Sequence, residues 1–107
     1  MSQLENVSIV REANFYFDGK VSSRTVILPD GSKKTLGVML PGKYEFGTSQ
    51  HEVMEIMSGK LEVVLPGADA PMNVSGGDTF RVPANSSFTV TVKEVTDYCC
   101  SYSQDGK

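Results

Sequence analysis

Histidine occurs once in this 107-residue chain, at His51, and cysteine only twice, at the adjacent positions Cys99 and Cys100. With no CxxC and no Cys/His spacing, the chain lacks the ligands of a structural zinc site. Neighbours on a strand point to opposite faces, and a vicinal disulfide strains the backbone, so the two cysteines read as small buried hydrophobes. Long apolar runs are missing too: no stretch approaches the roughly 18 residues of a membrane span. The opening "MSQLENVSIVREAN" has neither the basic end nor the apolar block of a secretion signal, and a cytoplasmic protein is expected. Basic charge is not in excess either. The net charge is −3 with acids and bases interspersed, which excludes the basic stripe of a nucleic-acid surface. A small anion held in one local basic pocket stays open.

What is present is ordinary for one compact domain: 39% hydrophobic and 21% charged residues. Short runs of alternating polarity dominate: "NFYF", "VSSRTVIL", "TLGVML", "KYEF", "VMEIM", "LEVVL", "DTFRV", "SFTVTV" and "DYCCSY". Between them stand "PDGSK", "PGK", "SGK", "PGADAP", "SGGD" and "PANSS", rich in the residues that supply tight-turn geometry. No segment sustains a helical repeat over three turns. "SQHEVMEIMSGK" has helix-favouring Glu and Met, yet its apolar residues alternate with polar ones over a short span, which predicts a strand. Strands at this regular spacing predict an all-β sandwich or barrel. Residues 1–13 are less patterned and are expected to form an N-terminal arm or an edge strand carrying Val7 and Ile9; residues 14–107 form the single domain.

Two segments then carry a recognisable pattern. "PGKYEFGTSQHEVMEIMSGKLEVVLPG" (41–67) and "GGDTFRVPANSSF" (76–88) resemble the two boxes of the cupin β-barrel, a double-stranded β-helix or jelly roll. Glu52 and Gly59 fit the first box: a glutamate, six residues, then a turn glycine. Gly-Asp and Val-Pro fit the second. More narrowly, "NFYFDGKV", "GVMLPGKYEFGT", "MEIMSGKLEVVLPG", "FRVPANSSF" and "YCCSY" are similar, in order and spacing, to the small single-domain cupins called pyrimidine/purine nucleoside phosphorylases. The resemblance runs from about Asn14 to Tyr102. It implies cleavage of nucleosides by phosphate to free base and ribose 1-phosphate, with broad base tolerance, phosphate as co-substrate and no cofactor.

The chain departs from metal-binding cupins, which place a His-x-His pair before the glutamate and another histidine after the second-box turn. Here the pair falls on Phe46 and Thr48, or on Glu45 and Gly47, and the later histidine on Phe88. His51 adjoins Glu52 and is expected to point outward, on the opposite face of its strand. One carboxylate without imidazoles does not make a transition-metal site, so no metal is expected.

Phosphorolysis builds positive charge on the sugar as the base departs, and placement with fixed electrostatics supplies much of the gain. Glu52, turned inward, would hold ribose hydroxyls or face the charge at C1′; an exposed strand carboxylate is the ordinary alternative. Arg81, if inward, would fork a phosphate, although strand arginines commonly face solvent. Lys20 is the other basic candidate, while Lys43 and Lys60 follow turn glycines and are expected to be solvated. Thr48 and Ser49 carry hydroxyls for phosphate or sugar, or else cap a loop. Tyr44, Phe46, Phe88, Tyr98 and Tyr102 are rings on which a flat base would stack, or plain core.

Two other classes stay open: a non-enzymatic cupin that binds a small sugar or nucleotide, and a structural cupin whose barrel is filled by side chains. A metal-dependent oxygenase is disfavoured by the missing histidines. A homodimer is expected, since cupins of this size pair sheet edges and cover exposed strands.

Overall fold

A computed structural model describes residues 3–103, and these form nine strands and no helix. The strands are β1 (Ser8–Ile9), β2 (Asn14–Tyr16), β3 (Val21–Ile27), β4 (Lys33–Met39), β5 (Gly42–Thr48), β6 (His51–Val64), β7 (Met72–Ser75), β8 (Thr79–Val82) and β9 (Ser86–Ser103). All pair antiparallel in the order β1-β3-β4-β9-β6-β7, with β2 on β3, β5 on β9 and β8 on β6.

Two long strands organise the rest. β6 has 14 residues and β9 has 18, and they pair along most of their length. One end of β9, Ser86–Val92, carries β5, and its other end, from Thr96, carries β4. Likewise the start of β6 carries β8 and its end carries β7. The paired strands thus run from one layer into the other, and side chains of both layers meet between them. Phe80 of β8, for example, meets Phe88 of β9 edge-on at 6.1 Å.

"SGK" was expected to break the chain between two strands, but pairing continues through it. Register shifts at Ile56/Ser58, Ser58/Lys60 and Lys60/Leu61 absorb the extra residues as bulges, which bend a strand without ending it. Gly59 sits there at φ +112°, and a Cβ on it would lie 2.7 Å from the Thr96 Cα and the Val95 carbonyl oxygen. Only glycine suits both the backbone angle and the closeness of β9. "SFTVTV" and "DYCCSY" fuse into β9 in the same way. "MNVS" (72–75) is a strand outside the alternating runs of the sequence.

"SGGD" turns β7 into β8. Gly77, at φ +97°, donates its N–H to the Ile56 carbonyl at 2.7 Å, and the Asp78 carboxylate accepts the Ser75 N–H at 2.9 Å. The core holds Val21, Met39, Ile56, Leu61, Val63, Val82 and Val90 among others, each with almost no exposed surface. Burying such a side chain stabilises the fold by roughly 1.5–3 kcal/mol. Both cysteines are free and buried. No helix of the described residues is long and apolar enough to cross a membrane.

Candidate functional site

On β6 the residues Glu52, Met54 and Ile56 alternate onto the inner face, and Met54 and Ile56 reach the core. Glu52 stands at the near end of this row, half-buried, opposite Val82 of β8 and Tyr102 of β9. It enters a cavity of about 180 Å³ whose wall includes Phe46 and Gly47 of β5, Phe88, Val90, Tyr98, Cys100 and Tyr102 of β9, and Ser23, Thr35 and Met39 of β3 and β4. Tyr16, at the end of β2, closes one side.

Burial pushes the Glu52 carboxyl above its ordinary value, and the nearby Cys100 thiol opposes the shift. Burial likewise pushes the Cys100 thiol up to about 12, with the Glu52 charge adding to it. Tyr98 and Tyr102 are raised as well, chiefly by burial. At neutral pH both phenols and the thiol are therefore neutral and able to donate hydrogen bonds. The Tyr102 hydroxyl pairs with the Thr35 hydroxyl at 3.0 Å. Tyr98 lies across β4 at Gly37, where a Cβ would come within 2.6 Å of its ring and hydroxyl and would also meet the Ser22 carbonyl oxygen. Glycine at position 37 is what lets this ring come so close to the strand.

A second, open cleft adjoins the cavity and shares Tyr16, Thr35 and Tyr102 with it. Its remaining lining is polar: Asn14, Thr25, Gly31, Ser32, Lys33 and Gln50. No lysine or arginine lines the inner cavity, whereas Lys33 lines the cleft.

The residues singled out from sequence divide sharply. Glu52, Phe46, Phe88, Tyr98 and Tyr102 come together in the cavity. Phe88, 4% exposed, points inward, so a ring occupies the position of the second-box histidine. Tyr44 is buried core instead, its hydroxyl donating to the Leu40 carbonyl at 2.7 Å and its ring 4.9 Å from that of Phe17. Thr48 also serves structure. Its hydroxyl donates to the Pro83 carbonyl at 2.7 Å and accepts the Ser86 N–H at 3.0 Å, tying β5 to the turn before β9. Ser49 is exposed in a bend.

Arg81 is exposed, because Phe80 and Val82 on either side are buried and alternation sends it outward. Lys20 is exposed in the tight turn between β2 and β3. Neither lines the cavity or the cleft. His51 departs from expectation differently. It is outside the cavity, yet it is only 7% exposed rather than solvated, and its Nδ1 has no hydrogen-bond partner among the described residues.

Sequence reasoning missed Tyr16, Ser23, Thr35 and Cys100. The cysteine had a usable signal, since it shares strand parity with Tyr98 and Tyr102. Ser23 and Thr35 had none, because a polar residue alternating with apolar ones ordinarily marks the solvent face. Among the described residues, no three His, Cys, Asp or Glu side chains converge as a metal ligand set. Of the positions where metal-binding cupins carry histidines, Phe46 and Phe88 present rings and Thr48 is tied to the turn.

Comparison with known proteins places the chain in a family and a fold. Residues 11–102 match the family model for pyrimidine/purine nucleoside phosphorylase. A protein of that name from Sulfurovum sp. (strain NBC37-1) is 63% identical over 102 residues, covering 95% of this chain and 99% of the relative. A crystal structure of a protein of unknown function from Acinetobacter sp. ADP1 is 39% identical and superposes with a TM-score of 0.91, covering 94% of this chain and 98% of the other. An RmlC-like cupin from Shewanella frigidimarina NCIMB 400 is only 14% identical, with a TM-score of 0.67 over 94% of this chain and 86% of that one, and shows the cupin fold alone.

Proposed function

The chain belongs to the pyrimidine/purine nucleoside phosphorylase family, and from that premise we propose that it cleaves both purine and pyrimidine nucleosides with inorganic phosphate, without a metal. The products are the free base and ribose 1-phosphate. A phosphate oxygen forms the new bond to C1′. The C1′–N bond breaks with its electron pair going to the base nitrogen, which takes a proton.

The observation that carries the reading is a single half-buried, desolvated carboxyl, Glu52, in a cavity whose wall also carries aromatic rings and hydroxyls. As its bond to the base stretches, the sugar gains positive charge at C1′. An ionised carboxylate held in a poorly solvated pocket stabilises that charge more strongly than one in water. Phe46 and Phe88 offer ring faces to the base. Stacking is tolerant of base identity, which suits breadth across purines and pyrimidines. Tyr98, Tyr102 and Thr35 supply hydroxyls for the ribose. Arg81 and Lys20 have no part in this scheme, since both are exposed and neither lines the cavity.

The test uses metal-stripped protein with uridine or adenosine, with and without phosphate. Ribose 1-phosphate is expected from both nucleosides only when phosphate is present. Tight binding without turnover would replace this reading with that of a non-enzymatic sugar or nucleotide binder.

The protein is further read as a cytoplasmic homodimer. Two free, buried thiols suit a reducing compartment. Leu36 and Val38 of β4, Met57 of β6 and Val95 of β9 leave apolar surface exposed on strands that pair with one another, and a second copy would cover it. Light scattering that gives the monomer mass at micromolar concentration would overturn the dimer.

A further inference from the structure

We propose that inorganic phosphate docks in the open cleft beside the cavity, on Lys33 and the hydroxyls around it, and not among the rings that surround Glu52. The inference rests on the phosphorolysis reading above and assigns the co-substrate its place.

Size gives the first reason. The inner cavity, about 180 Å³, is smaller than the roughly 300–1,000 Å³ of ordinary ligand pockets. It has room for the base and part of the sugar, so the remaining reactant must lie towards the mouth. Charge gives the second. A phosphate brought against an ionised Glu52 with no cation beside it would meet like-charge repulsion in a poorly solvated place. Lys33 is the one cation that lines either space, and it makes no ion pair among the described residues.

Strand register gives the third reason. Lys33 and Thr35 lie two residues apart on β4 and so share its inner face. Thr25 of β3 is the direct partner of Thr35, and Cys100 of β9 is its partner on the other side. A row of donors therefore runs from the ammonium of Lys33, at the mouth, to the wall of the cavity. The Thr35–Tyr102 hydroxyl pair marks the border between the two spaces. Two hydroxyls that share one hydrogen bond keep one hydrogen free to donate, which a phosphate oxygen can accept. The acid in the same turn, Asp30, makes no ion pair with Lys33 among the described residues; its Oδ1 accepts from the Ser32 N–H at 2.9 Å and from the Ser32 hydroxyl at 2.6 Å.

Lys33 is exposed, so its replacement leaves the core untouched. Steady-state kinetics of Lys33→Met should show a KM for phosphate raised about tenfold or more, as for loss of a charge-assisted hydrogen bond. The KM for the nucleoside should not change, and Lys33→Arg should restore the phosphate KM. In parallel, inorganic phosphate is titrated into the wild-type protein at constant ionic strength and followed by amide NMR. Shifts are expected at residues 31–35 and at Thr25, and should be lost in Lys33→Met. An active enzyme whose phosphate KM is unmoved in Lys33→Met overturns the site and leaves the phosphorolysis reading standing. A wild-type protein that releases no base with phosphate overturns the reaction, and the titration then decides the site alone: shifts around Lys33 retain it, and their absence removes it.

Discussion

Phe46 of β5 and Phe88 of β9 are direct register partners, their ring centroids 5.6 Å apart and their planes 31° from parallel, on the wall of the cavity that Glu52 enters. In the first of the two alignments given above, Phe46 holds the place of one histidine of metal-binding cupins, and Phe88 holds that of their second-box histidine. The substitution converts the chemistry of that wall from lone pairs that hold a cation to ring faces that hold a flat, weakly polar group.

Phe46 is only partly buried, so its truncation tests binding with modest damage to the core. Phe46→Ala should raise the KM for uridine and for adenosine by similar factors, about tenfold, given that base stacking contributes roughly 1–3 kcal/mol. A loss confined to one nucleoside would show that the ring reads base identity and not merely its flat face.

Glu52→Gln should lower kcat/KM about a hundredfold or more, the scale of removing one preorganised electrostatic partner. Its stability should move the other way. Burial raises the folded-state pKa of Glu52 above the reference value of 4.5. The folded protein therefore holds this proton more tightly than the unfolded chain does. The contribution of this one group to stability is fully present below pH 4.5 and is lost as pH rises through the raised folded-state value. Glu52→Gln removes that loss, so it should melt above the wild type at pH 7, with the difference shrinking in acid. Equal melting temperatures at pH 7 would show that the carboxyl is not desolvated. The same raised value predicts that kcat/KM falls on the acid side as Glu52 takes up its proton.

Cys100, with its thiol pushed up to about 12, and the buried Cys99 should both resist a thiol-specific reagent at pH 8 in the folded protein. Ellman's reagent should count two thiols only after denaturation. Fast modification of one thiol in the native state would mean that the cavity admits reagents down to Cys100 and that its thiolate is accessible.

Gly37→Ala should act on Tyr98 from a distance of one strand. The new methyl group would meet the Tyr98 ring and the Ser22 carbonyl, so the ring must leave its place over β4. Overpacking of this kind costs about 1–3 kcal/mol. Paired with Tyr98→Phe, which keeps the ring and removes only the hydroxyl, it separates the two contributions. A kcat loss in Gly37→Ala larger than that in Tyr98→Phe would place the weight on ring position.

The strands β2 to β4 and the turns after them were legible because Gly, Pro and Asp mark their ends. The joins inside β6 and β9 were not, since a bulge and a turn use the same residues and differ only in whether pairing resumes. The site followed the same division. Glu52, Phe46, Phe88, Tyr98 and Tyr102 could be picked out from motif spacing. Arg81 could not be oriented until Phe80 and Val82 were seen to be buried, because alternation fixes relative faces and not which one is the core. Lys33 was hidden inside "PDGSK", read as punctuation, although its parity with Thr35 and Met39 sets it on the inner face.

Thr48 gives the fold a property that its hydrogen bonds alone do not announce. In a metal-binding cupin the ion bridges the two boxes, and the strength of that bridge follows the free metal concentration and the protonation of its ligands. Here the Thr48 hydroxyl links β5 to the turn at Pro83 and Ser86, and it titrates with nothing. The brace is encoded in the chain and closes with the fold through two hydrogen bonds of one side chain, neither of which passes through an ion.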